Sequence, residues 1–295
     1  MSSAEPSPGP PAPSSPSSEP TVLPAAWQPL SFRGVAAFAQ ARLGRLLLAQ
    51  LIVAVLVAGA VAWFLSIHWF PSVRKAIRQL PDTGVIEGGR LSTPRDLTAP
   101  LVENRYLAIA VDVADSGVGS SLADLRLEFH QTNLAVCAFA GCLKRAYRSD
   151  ATIQFNRPEL ESWWGAWQPM LFCFVTLGVV VWLFASWLAL ATLYFPVAWL
   201  IAYFNDRQLS AFGAWKLAAA ALLPGALLVA FSLVLYGLGV ADVLRLLLLW
   251  LAHVPVGWIY LACSPFRLPR VVAKSGANPF GDSPATAKNP FTEPA

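Results

Sequence analysis

The sequence predicts a membrane α-helical protein of four transmembrane helices, with a small β-rich extracytoplasmic domain inserted between the first two. Three observations support this class. The 295 residues are 56% hydrophobic and 13% charged, with a mean hydropathy of +0.53, and soluble globular proteins carry about twice that charged fraction. Four uncharged runs are each long enough to cross a hydrocarbon core of about 30 Å. Between the first two runs the apolar spacing changes from helical to every second residue.

The N-terminal part of the chain changes character after residue 31. Residues 1–31 are rich in Pro and Ser and too poor in apolar side chains to offset the entropy of folding, so we expect a disordered cytoplasmic tail. Residues 32–70 are interpreted as a basic amphipathic lead-in and transmembrane helix 1. The lead-in, Phe32 to Arg45, fits a helix lying on the inner leaflet and fits equally well a basic extension of the span. The apolar run is too long for a cleaved signal sequence, which predicts a retained anchor.

Residues 71–162 are predicted to form the β-rich domain. The first of them, Ser72 to Leu80, keep a helical apolar spacing and are expected to continue transmembrane helix 1 as a short helix. Further along, apolar side chains occupy alternate positions in three stretches, which predicts the strands of a small antiparallel domain: Leu107, Ile109, Val111 and Val113; Leu125, Leu127 and Phe129; Ile153 and Phe155.

The stretch from Leu80 to Gly84 spells L-P-x-T-G, the pattern that sortases cleave. A sortase signal lies near the C-terminus and precedes an apolar span, whereas here the span comes first, so we interpret the match as chance. Val85–Glu87 and Arg90–Ser92 flank the pair Gly88-Gly89, which tolerates the positive φ angles of a type I′ turn. The stretch therefore predicts a β-hairpin.

Three further apolar runs predict transmembrane helix 2 at residues 163–204, helix 3 at residues 212–238 and helix 4 at residues 243–263. The second run could hold two crossings that split near Pro196. It contains no polar turn, and a proline within a helix also fits a kink, so we interpret the run as a single crossing. Residues 264–295 are predicted to be a second disordered cytoplasmic tail.

Basic residues set the expected orientation of the spans. They cluster before helix 1, between helices 2 and 3, and after helix 4, and four crossings bring these groups to one side: Arg33, Arg42 and Arg45; Arg207 and Lys216; Arg267, Arg270 and Lys274. Both termini are therefore expected in the cytoplasm, in a bacterial inner membrane, with Arg245 near the outer end of helix 4 as an exception. The net charge of +4 is too scattered for a nucleic-acid surface. The expected partners are the lipid bilayer and an envelope or membrane protein.

The stretch LPDTGVIEGGRLS, placed after a first span and a short helix, resembles the start of the outer domain in a bacterial family of uncharacterised multipass membrane proteins. Some members are labelled maltodextrin-utilisation proteins, and L-P-x-x-x-I-x-x-G-x-L is typical of them. The similarity continues through ENRYLAIAVDV and FNDRQLSAFGAWKLAAAALLPGALL, the second of which is similar to the Yip-type membrane domain. The resemblance implies a protein of four or five spans with an inserted outer domain and no assigned chemistry.

Cys137 and Cys142 flank Ala138–Gly141 in the β-rich domain, a segment of the right length for a four-residue hairpin loop. Facing each other across such a loop they could form a disulfide, which an oxidising envelope compartment permits, and two free thiols are the alternative. The other cysteines, Cys173 and Cys263, lie in apolar spans and are interpreted as small core residues.

His253 lies near the middle of transmembrane helix 4 and is the candidate intramembrane polar site, because ionisable side chains are costly at that depth and mark functional sites. The alternative is a helix–helix hydrogen bond, with Pro255 relaxing the backbone nearby. His68, beside Trp69 at the end of transmembrane helix 1, is expected at the interface.

The sequence contains none of the common enzyme motifs: no H-E-x-x-H, no Walker loop and no G-x-S-x-G. No catalytic, metal-binding or cofactor-binding residue is therefore predicted. Asp112, Asp115 and Asp124 are interpreted as solvated charges on strand ends and loops. The C-terminal tail repeats Asn-Pro-Phe at 278–280 and 289–291, which could present Phe to an adaptor protein but is more simply part of an unstructured tail.

These features favour a non-enzymatic accessory or organising protein whose outer domain binds an envelope partner. The alternative is a small-solute transporter or a channel-like component. His253 and the helix-breaking residues Pro196, Pro224 and Pro255 motivate that alternative, because discontinuous helices are typical of transport sites.

Overall fold

The computed structural model describes residues 28–93, 100–114 and 122–271. Four helices in this part are long and apolar enough to cross a membrane: Leu43–Gln79, Arg157–Phe204, Ala211–Gly237 and Val243–Arg267. The predicted number of long apolar helices is thereby confirmed. Residues 1–27 and 272–295, with most of both predicted tails and both Asn-Pro-Phe tripeptides, lie outside the described residues, as does Asp115.

The first and third of the long helices each consist of two shorter α-helices. A π-helical turn at Leu65–Trp69 joins α2 to α3, and Leu222 separates α5 from α6. The α-helices, in chain order, are α1 Phe32–Phe38, α2 Leu43–Phe64, α3 Phe70–Gln79, α4 Arg157–Phe204, α5 Ala211–Ala221, α6 Leu223–Gly237 and α7 Val243–Cys263. As predicted, the first long helix continues past Ser72.

Helix α1 is a separate helix and not a continuous extension of α2. A break after Phe38 separates it from α2, and its residues from Gly34 to Phe38 are buried against α5 instead of lying along an exposed surface. Small residues permit this approach, because a Cβ added at Gly213 of α5 would lie 3.2 Å from the carbonyl oxygen of Ala39. The buried ammonium group of Lys216 then donates to the carbonyl of Ala41 at 2.7 Å.

Helix α4 is continuous over 48 residues, with Pro169 and Pro196 inside it. No polar turn divides this helix, which agrees with the interpretation of the second apolar run as undivided. At 1.5 Å per residue it extends for about 72 Å, more than twice the thickness of a hydrocarbon core. Its N-terminal part lies alongside α3, where Arg74 donates to the side chain of Gln168 at 2.7 Å.

The β domain, residues 85–154, contains two sheets. Its strands are β1 Val85–Glu87, β2 Arg90–Ser92, β3 Pro100–Glu103, β4 Leu107–Asp112, β5 Leu125–His130, β6 Asn133–Ala138, β7 Gly141–Ala146 and β8 Ile153–Gln154. The order is β2-β1-β8 in the small sheet and β3-β4-β5-β6-β7 in the large one. The predicted hairpin is confirmed, since β1 and β2 pair across Gly88 (φ 55°) and Gly89 (φ 75°).

The expectation of a wholly antiparallel domain is wrong. Strands β4 and β5 run parallel, with Leu107 opposite Leu125 and Val111 opposite Phe129. A parallel pair requires a crossover of about a dozen residues, and the chain between Asp112 and Leu125 supplies one of that length. Alternating apolar residues predict a strand and its buried face but carry no information on the direction of its neighbour.

The core of the β domain is shared with the first long helix. Helix α3 lies on the apolar face of the large sheet and contributes Ala76, and Leu80 follows directly after it, while the small sheet contributes Ile86 and Leu91. The predicted inward residues Leu107, Ile109, Val111 and Phe155 are buried in this cluster, whereas Ile153 is half-exposed. The continuation of the first long helix therefore covers the sheet.

Three consecutive residues before β4 fasten the β domain to the helices. The first is Asn104, whose Nδ2 donates to the carbonyl of His68 in the π-helical turn at 3.1 Å and to Oγ of Ser72 at 2.7 Å. Its Oδ1 accepts the backbone N–H groups of Tyr106 at 2.8 Å and of Leu107 at 2.7 Å. Asn104 thus orders the start of β4 and ties it to the first long helix.

The second residue, Arg105, reaches the link between α6 and α7. Its guanidinium donates to the carbonyl of Gly239 at 2.9 Å and to that of Ala241 at 2.7 Å. Gly239 has a φ of 76°, the left-handed conformation that glycine adopts at least cost. The link is short and turns sharply, and Arg105 satisfies carbonyl groups that this turn leaves free.

The third residue, Tyr106, is buried among aromatic rings. Its hydroxyl donates to the carbonyls of Tyr236 and Gly237 at the end of α6, at 2.9 and 3.0 Å. The phenol of Tyr236 in turn donates to Asp124 of the β domain at 2.7 Å, and the ring of His68 lies 4.4 Å from that of Tyr106. We call Asn104, Arg105 and Tyr106 the joint.

The joint predicts a specific effect of Tyr106→Phe. The variant keeps the ring contacts and removes the hydroxyl, so about 1–2 kcal/mol of stability should be lost at the contact between the β domain and α6. Amide hydrogen exchange should rise in β4 and in residues 237–242. The control is Tyr203→Phe on the exposed face of α4, and an equal effect of the two variants would contradict the role of the joint.

Candidate functional sites on the hairpin edge and in the helical bundle

The β6–β7 hairpin forms one edge of the large sheet. Strand β7 pairs with β6 on one side only, and all six of its residues are exposed. The hairpin turns through Phe139 and Ala140, because Ala138 already pairs with Gly141. The connection therefore has two residues instead of the four expected from the sequence, and Gly141 makes it possible with a φ of 123°.

Cys137 and Cys142 face each other directly across this hairpin. They are joined by a disulfide, with an S–S distance of 2.02 Å and a Cα–Cα distance of 4.0 Å. The Cα separation is close to the ~4.5 Å of an antiparallel pair that exchanges no ladder hydrogen bonds. The two sulfurs lie on the face of the sheet opposite the apolar core, next to Arg126 of β5.

The direction of the backbone groups along β7 follows from this pairing. The N–H of Tyr147, just after the strand, donates to the carbonyl of Thr132 at 3.1 Å. Backbone groups of alternate residues point to opposite sides of a strand, so those at positions 143 and 145 also face β6. The groups left facing outward, away from the sheet, belong to Cys142, Lys144 and Ala146.

The apolar face of the hairpin extends beyond the part that α3 covers. Leu143 is 72% exposed and Phe139 at the turn is 70% exposed. Leu134 and Val136 of β6 lie on the same face and are half-buried. An edge strand with exposed apolar side chains is a template for pairing with another chain.

The opposite face of the large sheet carries charges that the sequence suggested were solvated. Asp112 is only 4% exposed and lies in register with the buried His130. Nε2 of His130 lies 3.6 Å from the carboxylate of Glu128, which is also 3.7 Å from the guanidinium of Arg126. Asp124 is partly exposed and accepts a hydrogen bond from the phenol of Tyr236. The interpretation as a solvated charge is wrong for Asp112.

The segment after β7 contains the groups of the β domain with clear pKa changes. Burial raises the pKa of Tyr147 above its usual range, and its hydroxyl donates to the carbonyl of His130 at 3.0 Å. On the surface, the guanidinium of Arg148 donates to the carboxylate of Asp150, and this hydrogen bond lowers the pKa of Asp150 and raises the pKa of Arg148. These groups fix the chain after the hairpin and form no reactive pair.

His253 lines a cavity of about 340 Å³ between α2, α4, α6 and α7. The lining is mostly aromatic, and we call the cavity the aromatic groove. Its ring-bearing residues are Trp182, Trp187, Tyr194, Trp250, His253 and Trp258. One face of α4 forms one wall over about 17 Å, because five lining residues of that helix recur at helical spacing: Leu183, Ser186, Trp187, Leu190 and Tyr194. Trp182 borders this wall.

The ring of His253 is oriented by its own helix. Nδ1 bonds to the carbonyl of Trp250, and the two rings lie 5.6 Å apart. The helix–helix hydrogen bond considered for His253 is therefore wrong. The histidine backbone is nevertheless close to α6, because a Cβ added at Gly225 would lie 2.7 Å from the carbonyl oxygen of His253. Gly225 thus sets the position of His253 against α6.

The other candidates do not join these sites. Cys173 and Cys263 are exposed on the surface of the bundle, so their interpretation as core residues is wrong. His68 belongs to the aromatic surroundings of the joint. Across residues 28–93, 100–114 and 122–271 no group of three His, Cys, Asp or Glu side chains is arranged to hold a metal ion.

Sequence reasoning missed the joint and most of the aromatic groove. The triplet Asn104-Arg105-Tyr106 directly before a buried strand was a usable signal. Three consecutive side chains point in different directions, so they do not all lie on one exposed face. The helical spacing of Leu183, Trp187, Leu190 and Tyr194 was visible too, but it does not reveal which helix lies opposite.

Comparison with known protein families, with curated proteins and with solved structures finds no match. The assignment of function therefore depends on the geometry of the chain itself.

The disulfide can be tested by replacing Cys137 and Cys142 together with alanine. The bond closes a very short loop, so its loss should cost at most about 2–3 kcal/mol. Amide exchange should rise in β6 and β7, while thermal unfolding of the helices stays unchanged, because the hairpin is remote from the bundle.

The chemical state of the sulfurs is checked in a Cys173→Ala, Cys263→Ala background. Maleimide should modify the native protein only after reduction. Labelling of Cys137 and Cys142 without a reductant would contradict the bond.

Proposed function

We propose that the chain is a four-span protein of the bacterial inner membrane, with both termini in the cytoplasm and the β domain outside. The four long apolar helices are compatible with a multipass membrane protein. The orientation is supported by the distribution of charge between the two ends of the bundle. A positive end on the cytoplasmic side is the general rule for such proteins.

The two ends of the bundle differ in their balance of charge. At one end lie the β domain, the joint and the link between α6 and α7. At this end basic residues lie beside acidic ones, as in the pairs Arg78–Glu161, Arg157–Asp82 and Arg245–Asp242. At the other end the link between α4 and α5 packs on the segment after α7, where Arg207 donates to the carbonyl of Leu268 at 2.7 Å. Arg267 and Arg270 lie in that same segment. The second end is therefore the one expected to face the cytoplasm.

Reporter fusions test this topology. Fusions at Asn205 and at Ala295 should both give a cytoplasmic signal, and an insertion in the turn between Phe139 and Ala140 should give an extracytoplasmic one. An extracytoplasmic signal at Ala295 would require an odd number of spans and would contradict the proposal.

Within this topology we infer a non-enzymatic accessory role, in which the β domain binds an extended segment of an envelope protein along β7. The observation that carries this inference is the free edge of β7, exposed over its whole length and with the backbone groups of Cys142, Lys144 and Ala146 directed outward. Strand addition to such an edge supplies affinity through main-chain hydrogen bonds.

The side chains around the edge define the class of partner. Leu143 and Phe139 offer apolar contacts, and Lys144 and Arg145 add positive charge. A complementary segment alternates apolar with acidic residues. The joint favours this role, because hydrogen bonds to α6 and to the first long helix hold the β domain on the bundle.

The aromatic groove does not support a small-solute transporter. Besides His253, the groove is lined by the hydroxyl-bearing Ser186 and Tyr194 and by four indole rings with one N–H donor each. The hydroxyl of Ser186 already donates to the carbonyl of Leu183 at 2.8 Å. A path for a hydrated solute requires more polar groups than this lining offers.

Strand addition is tested with Lys144→Pro. Proline removes an N–H that faces outward and leaves the hydrogen bonds between β6 and β7 in place, so the hairpin should persist while strand addition fails. The matched control, Lys144→Ala, removes the same charge and keeps the N–H. A photo-crosslinking amino acid at Phe139 should trap a discrete partner in cells with the alanine variant and lose it with the proline variant.

Two results would contradict the proposal. One is equal crosslinking by the proline and alanine variants, which would show that main-chain pairing is not used. The other is the absence of a crosslinked partner from the unmodified edge. Amide exchange in β6 verifies that the hairpin of the proline variant is folded.

A further inference from the structure

We propose that the aromatic groove binds a membrane-soluble ring compound that carries a hydroxyl group, of the alkylphenol type. The proposal depends on the membrane placement proposed above and is independent of partner binding by β7. A cavity of about 340 Å³ lies within the usual range for small-molecule sites, which are mostly apolar with a few convergent polar groups.

The first argument is the hydrogen-bonding state of His253. A carbonyl oxygen only accepts, so the contact with Trp250 requires Nδ1 to carry the proton. A neutral ring then leaves Nε2 as an acceptor. Within the part of the chain that the structure describes, no donor bonds to this nitrogen. A ligand hydroxyl is the group that would complete it.

The apolar surroundings of the groove make an unpaired acceptor at Nε2 of His253 energetically costly. An unsatisfied polar group in hydrocarbon is costly, and the acyl chain of a bulk lipid has no donor to offer. Tyr194 also lines the groove, and its phenol adds a second hydrogen-bonding group to an otherwise mostly apolar lining.

The second argument is the aromatic wall. Four indole rings, those of Trp182, Trp187, Trp250 and Trp258, border the cavity. Offset and edge-to-face contacts between rings add to simple burial, which favours a flat ring over a flexible chain. Such a concentration of indoles is not explained by packing alone, since Trp182 is 74% exposed and Trp258 is 52% exposed.

The third argument is access. The exposed edges of Trp182 and Trp258 lie on the outer faces of α4 and α7, which carry further exposed apolar residues such as Phe174 and Leu251. In a bilayer these faces contact acyl chains. The groove therefore opens sideways into the hydrocarbon, and an alkyl tail can leave through this opening while the ring stays inside.

The test uses the full-length protein in phosphatidylcholine nanodiscs. A diazirine-bearing alkylphenol is photolysed, and the labelled peptides are mapped by mass spectrometry. The two competitors are 4-octylphenol and its methyl ether 4-octylanisole, compared at equal mole fraction in the bilayer. The ether keeps the ring and the tail but cannot donate a hydrogen bond.

Labelling is expected in residues 182–194 and 250–258, with the phenol competing about tenfold better than the ether, as one hydrogen bond in an apolar site predicts. His253→Phe keeps a ring of similar size. In this variant the phenol should compete with the photolabel only as well as the ether does, while competition by the ether is unchanged. The matched control, Trp199→Phe on the exposed surface of α4 outside the groove, should change neither.

Two outcomes would overturn the proposal. Labelling spread over the exposed faces of α4 and α7 would show simple partition into the surrounding lipid. Equal competition by phenol and ether in the unmodified protein would show that no hydrogen bond is made, and this result does not depend on whether a variant folds. Neither outcome bears on the topology reporters or on the crosslinks at β7.

Discussion

Carbonyl groups at the end of a helix have no partners within that helix, and this chain satisfies several of them with side chains from its β domain. Tyr106 and Arg105 bind carbonyls at the end of α6 and in the link that follows it. Asn104 binds the π-helical turn, where a carbonyl is also accessible to a side chain. Most other features of the molecule depend on this joint, because it connects its two halves.

The joint explains why the first long helix does not stop where its apolar run ends. The π-helical turn at Leu65–Trp69 changes the direction in which side chains leave the helix. After the turn, α3 presents Ala76 to the large sheet, so one continuous helix contributes to both cores. The hairpin edge on the far side of the sheet is left uncovered, and this is why β7 can be a binding surface.

Packing in the bundle is uneven. Helix α5 is rich in alanine and nearly inaccessible, since small residues let neighbouring backbones approach. Gly225 does the same between α6 and α7. Where indoles replace these small residues on α4 and α7, the helices cannot approach as closely, and the aromatic groove is the space that remains.

The sequence by itself determined the elements whose cause is local: four long apolar runs, the glycine turn between β1 and β2, and the alternation that marks β4 and β5. It also placed Cys137 opposite Cys142, because short hairpins have few possible registers. Only the tertiary structure decided the parallel pairing of β4 with β5, the burial of Asp112, the site of α1 and the lining around His253. These depend on which elements meet in space, and a periodic pattern shows that a residue faces inward without showing what lies opposite.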